Sequence, residues 1–312
     1  METSIVNVKS LSKSFGSFNA VSDLSFSVNR SDVYGFLGQN GAGKSTTIRM
    51  MLSLITPTSG EMELFGMNLR TNRKEILQQV GAVIERPDLY KYLSGLENLA
   101  LFAKMNRVDS SRVKLMEQLE LVGLADRAGS KVKTYSQGMK QRLGIAVALV
   151  HNPQLVILDE PTNGLDPQGI ADMRNLILHL CHHLNKTVIV SSHLLSEIEQ
   201  IATRMLIIDK GNKIVEGRVD ELIDPAKTIV AIETDDMART MAFLNNSSWA
   251  KFVTDTAPTS VSLQMHRTQI PVLNAELVGE GIGVISLQTK NALENYFLEV
   301  TAGKQHVGTF AN

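Results

Sequence analysis

The sequence predicts an α/β protein with a mostly parallel sheet covered by helices on both faces, followed by a smaller α+β domain. Three observations carry this. LVILDE (155–160) is a continuous apolar run ending in acid, the pattern of a strand buried on both faces. Strand-like runs alternate with stretches of helical spacing, which is the order that builds parallel sheets. The chain has 312 residues, and single cores rarely grow past about 250, so a second core is expected.

The elements follow in order. Residues 5–37 hold short strand-like runs, IVNVKSL and SFSV, and end in DVYGFLG, a strand entering a glycine turn. KSTTIRMMLSLI (44–55) has helical spacing and is stopped by Thr56 and Pro57, since the residue before proline avoids helical geometry. ITPTSGEMELFG reads as loop, strand and turn, and RKEILQQVGAVIE as a short helix running into a strand. From about Leu93 to Val150 the pattern is helical, with polar loops near Arg107–Ser110 and Ala125–Thr134. LVILDE then precedes a helix at about 168–184 and the strand TVIVSS.

DPAKT (224–228) is the best boundary, giving a first domain of 1–223 and a second of 228–312. In the second, TIVAIET, KFVTDT, SVSLQMH and VISLQT read as strands, and DMARTMAFLNN and PVLNAELVGEG as helices. Their order is β-α-β-β-α-β, the ferredoxin-like arrangement, with ALENYFLEVTAG as an added final helix.

Bulk properties narrow the function. Lys plus Arg is 31 and Asp plus Glu is 32, so bulk charge supports neither wrapping of nucleic acid nor lying on anionic lipid. Any anion must be met by a local site. The one cysteine, Cys181, excludes an intrachain disulfide and fits a reducing compartment, with the cytoplasm as default. The N-terminal METSIVNVKSLSKSF lacks the apolar core of a secretory signal. The most apolar stretches fall far short of the roughly 20 residues that span a bilayer, so membrane crossing would belong to another chain.

Gly38-Gln39-Asn40-Gly41-Ala42-Gly43-Lys44-Ser45 fits G-x-x-x-x-G-K-S/T at every fixed position, between a predicted strand and a predicted helix. Glycines let backbone amides turn inward without Cβ clashes, and those amides, with the helix N-terminus at Ser45 and Thr46, cradle phosphate oxygens. Lys44 can bridge the β- and γ-phosphates of ATP, and the Ser45 hydroxyl can ligate Mg²⁺. Asp159, at the end of a central strand, can hold that Mg²⁺ through water. Glu160 follows, where a general base could polarise the attacking water. Strand ends are where ligands sit in such sheets.

With these motifs in place, residues 4–220 resemble the nucleotide-binding subunit of an ATP-binding cassette (ABC) transporter. The resemblance implies a RecA-like P-loop core with antiparallel β and α-helical subdomains, the latter at about 93–150. Tyr135-Ser-Gln-Gly-Met-Lys-Gln-Arg142 is similar to the family's signature segment L-S-G-G-Q; Ser136 and Gly138 match, and Tyr135, Gln137 and Met139 depart. A serine hydroxyl and a glycine amide at a helix start form an anion site, which in this family faces the γ-phosphate bound by a second subunit. Asn163-Gly-Leu-Asp166 resembles the dimer-contact loop, His193 the switch histidine that touches the γ-phosphate, and Phe15 the aromatic that stacks on adenine.

The resemblance implies an ATP-dependent homodimer of cassettes, docked on the inner face of the cell membrane through separate integral permease subunits. Glu85, in VGAVIERPDLY, stands where most of the family carries a glutamine that reaches Mg²⁺ and the attacking water. Buried and unpaired, a carboxylate there would cost several kcal/mol; facing Mg²⁺ it gains a partner. Glu with a following Pro and Tyr is similar to ATPases of bacteriocin immunity and bacitracin-type or lantibiotic exporters, and the tail ALENYFLEVTAG resembles theirs. The expected cargo is therefore an antimicrobial peptide or drug.

Two other classes compete. A soluble cassette ATPase acting on ribosomes or nucleic acid would usually carry two cassettes or a long coiled-coil insertion, and this chain reads as one cassette with neither. A non-hydrolysing module conflicts with intact Lys44, Asp159 and Glu160. His179, Cys181, His182 and His183 have helical spacing that could bind metal, but no orienting carboxylate accompanies them, so they read as structural. The scattered methionines read as core filler, and Trp249 receives no role.

Overall fold

The computed structural model describes residues 4–222 and 228–290. They form two compact units dividing between Arg218 and Val219. The first opens with β1 (Ser4–Phe15), β2 (Phe18–Asn29), β3 (Val33–Leu37), α1 (Lys44–Met51), β4 (Ser59–Leu64) and β5 (Met67–Asn68). It continues through α2 (Arg73–Leu77), β6 (Val80–Val83), α3 (Gly95–Met105), α4 (Arg112–Leu121), α5 (Gln137–Leu149) and β7 (Leu155–Asp159). It closes with α6 (Pro167–His182), β8 (Thr187–Ser192), α7 (Leu195–Glu199), β9 (Arg204–Asp209) and β10 (Asn212–Arg218).

A six-stranded sheet of order β10-β9-β3-β8-β7-β6 forms the centre. Five strands run parallel, and β10 adds an antiparallel edge through the β9–β10 hairpin. Every residue of β3, β7 and β8 is buried, which is why these runs show no polar alternation. α6 buries Met173, Leu176, Ile177, Leu180 and Cys181, a stripe at three- and four-residue spacing. Asp166 caps it by accepting from the Gly169 amide at 2.9 Å, with Pro167 in the first turn.

β1 and β2 join β4 and β5 in a second, antiparallel sheet of order β2-β1-β4-β5. Its apolar residues share one core with α1 and the parallel sheet, where Phe26 meets Tyr34 and Phe36 at ring-centroid distances of 5.9 and 5.3 Å. On α1, Ile48, Met50 and Met51 are fully buried, each contributing roughly 1.5–3 kcal/mol. The Tyr34 hydroxyl donates to Glu216 at 2.9 Å. Burial first, then the Glu216 carboxylate, hold that phenol well above its ordinary pKa.

α1 stops four residues earlier than its spacing predicts. Ser53 takes a left-handed φ of 52°, and the amides of Leu54 and Ile55 fold back on the Arg49 carbonyl. The backbone thus reverses before Pro57 can act. Between β6 and β7, α3, α4 and α5 pack together. Ser94 and Glu97 form a capping box on α3, and the fully buried Asn98 pins Tyr90, accepting from its amide and donating to its carbonyl.

The second unit begins with α8 (Val219–Leu222) and continues through β11 (Thr228–Thr234), α9 (Met237–Asn246), β12 (Val253–Thr256), β13 (Val261–Met265), α10 (Ile270–Gly279) and β14 (Val284–Lys290). Its sheet has the order β12-β13-β11-β14, with every neighbouring pair antiparallel. Trp249 has a structural place that its sequence did not disclose: it is buried in this unit's core and its indole N–H donates to Glu276 at 2.6 Å. The helix expected in ALENYFLEVTAG lies outside the described residues.

Candidate functional site

The loop between β3 and α1 is shaped by its glycines. Gly41 and Gly43 have φ of 83° and 107°, and a Cβ on Gly43 would stand 2.6 Å from the Ala20 carbonyl oxygen. No side chain caps α1, whereas Ser94, Ser136 and Asp166 cap α3, α5 and α6. The first amides of α1 are thus left for an anion. Lys44 is 5% exposed and its ammonium folds back onto the loop, donating to the Gly38 carbonyl at 2.5 Å and the Gln39 carbonyl at 3.3 Å.

Glu160 joins this group from the end of β7. Its carboxylate lies 3.1 Å from Lys44 Nζ through one oxygen and 2.9 Å from His193 Nδ1 through the other. Its φ is 51°, and its amide donates to Ser191 Oγ at 2.9 Å, so the backbone turns out of the strand and aims the side chain at the loop. Sheet order explains the convergence: β3, β8 and β7 are neighbours, and their carboxyl ends deliver Lys44, His193 and Glu160 to one place.

Asp159 is 1% exposed. Ser191 Oγ donates to its Oδ1 at 2.5 Å, while its Oδ2 has no hydrogen-bond partner. A buried carboxylate oxygen without a partner is costly, and a hard divalent cation is the partner that suits it. Asp159 borders one open cleft of about 1120 Å³ with Asn40, Gly41, Ala42, Gly43, Lys44, Ser45, Thr46, Glu85 and Glu160. Among the described residues, no group of three or more His, Cys, Asp or Glu side chains could hold a metal by itself.

Other expected residues sit apart from that centre. Ser136 caps α5 by accepting from the Met139 amide at 3.2 Å, and Ser136 and Gly138 open on a neighbouring groove with Leu165 and Asp166. Gln137 and Gly164 border both clefts. Phe15 is half-exposed beside Lys13, whose ammonium lies 4.8 Å from the ring centroid, and does not line the main cleft. Its cross-strand partner Phe18 does.

Glu85 borders the cleft with its side chain 63% exposed, and its carboxylate holds Arg49 Nη2 of α1 at 2.5 Å. Its φ is 56°, and Pro87, two residues on, packs over Gly144, where a Cβ would come within 2.5 Å.

An ABC transporter family model matches residues 21–163. The bacitracin transport ATP-binding protein BcrA of Bacillus licheniformis is 40% identical over 302 residues, covering 96% of this chain and 98% of that protein. The chain belongs to the ABC transporter family. A BcrA of Enterococcus faecalis is 35% identical across 96% of this chain and 97% of its own length. The lantibiotic transport ATP-binding protein SrtF of Streptococcus pyogenes is 38% identical, covering 69% of this chain and 92% of its own.

Among solved structures, cbiO1 of Clostridium perfringens matches with TM-score 0.66 at 23% identity, over 78% of this chain and 95% of that one, a likeness of fold. The cassette MJ0796, solved as a dimer with ADP and Pi, matches with TM-score 0.62 at 25% identity, over 69% of this chain and 98% of that one. The chain is an ABC ATPase of mixed α/β fold and binds ATP. Among its described residues no helix is long and apolar enough to cross a membrane.

In this ABC ATPase, sequence reasoning missed Ser191, Arg49 and Phe18. Ser191 had a signal, a hydroxyl at the end of a predicted strand two residues before His193. Arg49 had none, because nothing local places it across from Glu85.

Proposed function

We propose that this chain is the ATP-hydrolysing subunit of an exporter that carries an antimicrobial peptide or drug through a separate membrane permease, in self-protection or resistance. The observation that carries this is the near full-length likeness to two bacitracin transport ATP-binding proteins. In this reading the protein sits at the inner face of the membrane, held there by its permease. A soluble ATPase acting on ribosomes or nucleic acid is not favoured by relatives named for transport.

Gly38, Asn40, Gly41, Ala42 and Gly43 with the first amides of α1 cradle the phosphates, and Phe15 receives the adenine beside its cross-strand partner Phe18, which borders the cleft. Lys44 gives up its loop carbonyls for the phosphate oxygens. Ser45, Asp159 and Glu85 would hold Mg²⁺, which when bound neutralises phosphate charge. Glu160 takes the proton of the attacking water, and His193, already bonded to it, contacts the γ-phosphate. Ser136 and Gly138 face the nucleotide of a second copy, so closure of the homodimer completes both sites and hydrolysis releases it. The helical segment 93–150 and the loop after Glu85 carry this motion to the permease. The second unit is an accessory domain, and its strand order fits the ferredoxin-like arrangement.

Co-expressed with a permease of a bacitracin-type exporter, the chain is expected to co-purify with that membrane protein and to raise resistance to a bacitracin-type peptide, an effect Glu160→Gln removes. Co-purification with ribosomes and unchanged resistance would defeat the proposal.

Glu85 gives this loop a stronger dependence on Mg²⁺ than glutamine would. Exposed ion pairs contribute about 0–1 kcal/mol, so Arg49 does not hold the carboxylate back from the metal. Glu85→Gln is expected to shift the half-saturating Mg²⁺ for ATPase by up to about fivefold, the factor that the upper end of that energy corresponds to. Superimposable Mg²⁺ curves would leave Glu85 as an exposed loop acid.

A further inference from the structure

Glu197 has no part in the mechanism above, yet it joins the two loops that supply the hydrolytic pair. One oxygen of its carboxylate, Oε2, accepts from Thr162 Oγ1 at 2.8 Å and from Ser192 Oγ at 2.6 Å. Thr162 lies two residues after Glu160, and Ser192 is the residue before His193. In sequence the two hydroxyls stand far apart; in space one charge gathers both. Hydroxyl donors to a carboxylate make shorter and stronger bonds than neutral pairs.

The surroundings fix each end of this bridge. Ser192 is buried, its hydroxyl also accepts from the Leu194 amide at 3.0 Å, and its carbonyl accepts from the Gly38 amide at 3.3 Å. The carboxylate therefore reaches the start of the phosphate loop through one residue. On the other side, the Asn163 amide donates to the Glu160 carbonyl and the Leu165 amide to the Thr162 carbonyl, so Thr162 heads the compact turn running to Asp166. Glu197 itself rides on α7, whose Ile198 is fully buried at the spot where a Cβ on Gly35 of β3 would collide with it. The bridge is thus anchored on the central sheet.

We infer that Glu197 is a positioning residue that ties the loop bearing Glu160 to the loop bearing His193, so that movement of residues 162–166 is felt at the histidine. It rests on the reading of Glu160 and His193 as the hydrolytic pair. The pair itself is a single 2.9 Å contact to a histidine that is 34% exposed. Without Glu197, nothing else among the described bonds connects Thr162 with Ser192; the two strand ends are still tied through Ser191, but the turn after Glu160 is then joined to the histidine loop only by the Glu160–His193 contact.

The test is steady-state ATPase of the full chain with kcat and KM separated. Glu197→Ala is expected to lower kcat by about tenfold with KM for ATP unchanged, the low end of what loss of an orienting partner costs. Glu197→Gln, which keeps an acceptor oxygen, is expected to recover most of that loss. Thr162→Val should cost a few-fold in the wild-type background and nothing further beside Glu197→Ala, because both remove one bridge. In a Glu160→Gln background, Glu197→Ala should still give the ATP-bound dimer on size exclusion. The inference fails if kcat is unaltered, if the Thr162 and Glu197 effects multiply, or if ATP affinity and melting temperature fall in step with kcat. Turnover surviving in Glu160→Gln would instead sink the reading of the pair, so the two failures are distinct.

Discussion

Glu160→Gln is expected to abolish ATP turnover, by about 10²–10⁴-fold, the usual worth of a positioned general base, while leaving an ATP-bound dimer that survives size exclusion. The geometry makes this substitution clean. Both carboxylate oxygens are engaged, one by Lys44 at 3.1 Å and one by His193 at 2.9 Å. An isosteric amide can turn its oxygen to the Lys44 ammonium and its N–H to the imidazole. The backbone that aims it, with φ of 51° and an amide held by Ser191, does not depend on side-chain charge. Shape and nucleotide binding are therefore kept, and only the capacity to accept a proton is lost. ATP favours the closed dimer because closure completes the γ-phosphate's contacts, and without hydrolysis that state has no exit. A variant turning over at close to the wild-type rate would remove Glu160 from the role of base.

What the sequence disclosed and what it withheld divide along a physical line. The strands, the glycine loop and the start of α5 were legible because each is dictated locally: apolar runs, left-handed glycines, Ser136 at a cap position. Lys44 was legible from the glycine-loop motif, Asp159 and Glu160 from an acidic strand end, and His193 from the family resemblance, and the sheet order β3-β8-β7 brings their loops together. The partners were not legible. Arg49 and Glu85 meet across 36 residues of sequence, Thr162 and Glu197 across 35, and Ser191 and Asp159 across 32. No periodicity encodes such pairs; they follow from which strands become neighbours. Phe15 shows the same limit on a smaller scale. It and Phe18 are cross-strand partners at one hairpin end, and Phe18 is the ring that borders the cleft, a choice the local sequence does not carry.

Asp159→Asn is expected to separate stability from activity, with opposite signs. Asp159 is almost fully buried, and of its two oxygens only Oδ1 is bonded, to Ser191. A buried carboxyl group with one oxygen unpartnered destabilises the nucleotide-free fold, so an amide of the same shape should relieve it. A gain of about 1 kcal/mol, modest against the cost of an unpaired buried charge, corresponds to a rise in melting temperature of about 2–4 °C for a unit of this size. The Oδ1 acceptor for Ser191 is retained, so Ser191 continues to hold the Glu160 amide. Hydrolysis should nevertheless fall by about two orders of magnitude or more, since the buried oxygen that would hold Mg²⁺ has lost its charge. The decisive measurement is thermal unfolding with and without ATP and Mg²⁺. In the wild type, adding Mg²⁺ to the ATP-bound protein should raise the melting temperature further by mass action on the folded state; in Asp159→Asn that increment should vanish while the increment from ATP alone remains. A lower melting temperature in the nucleotide-free variant would show that the carboxylate stabilises the fold, and an undiminished Mg²⁺ increment would move the metal away from Asp159. The expected trade, a more stable protein that no longer works, is the signature of a group kept at the end of β7 for its ligand and at the expense of its own strand.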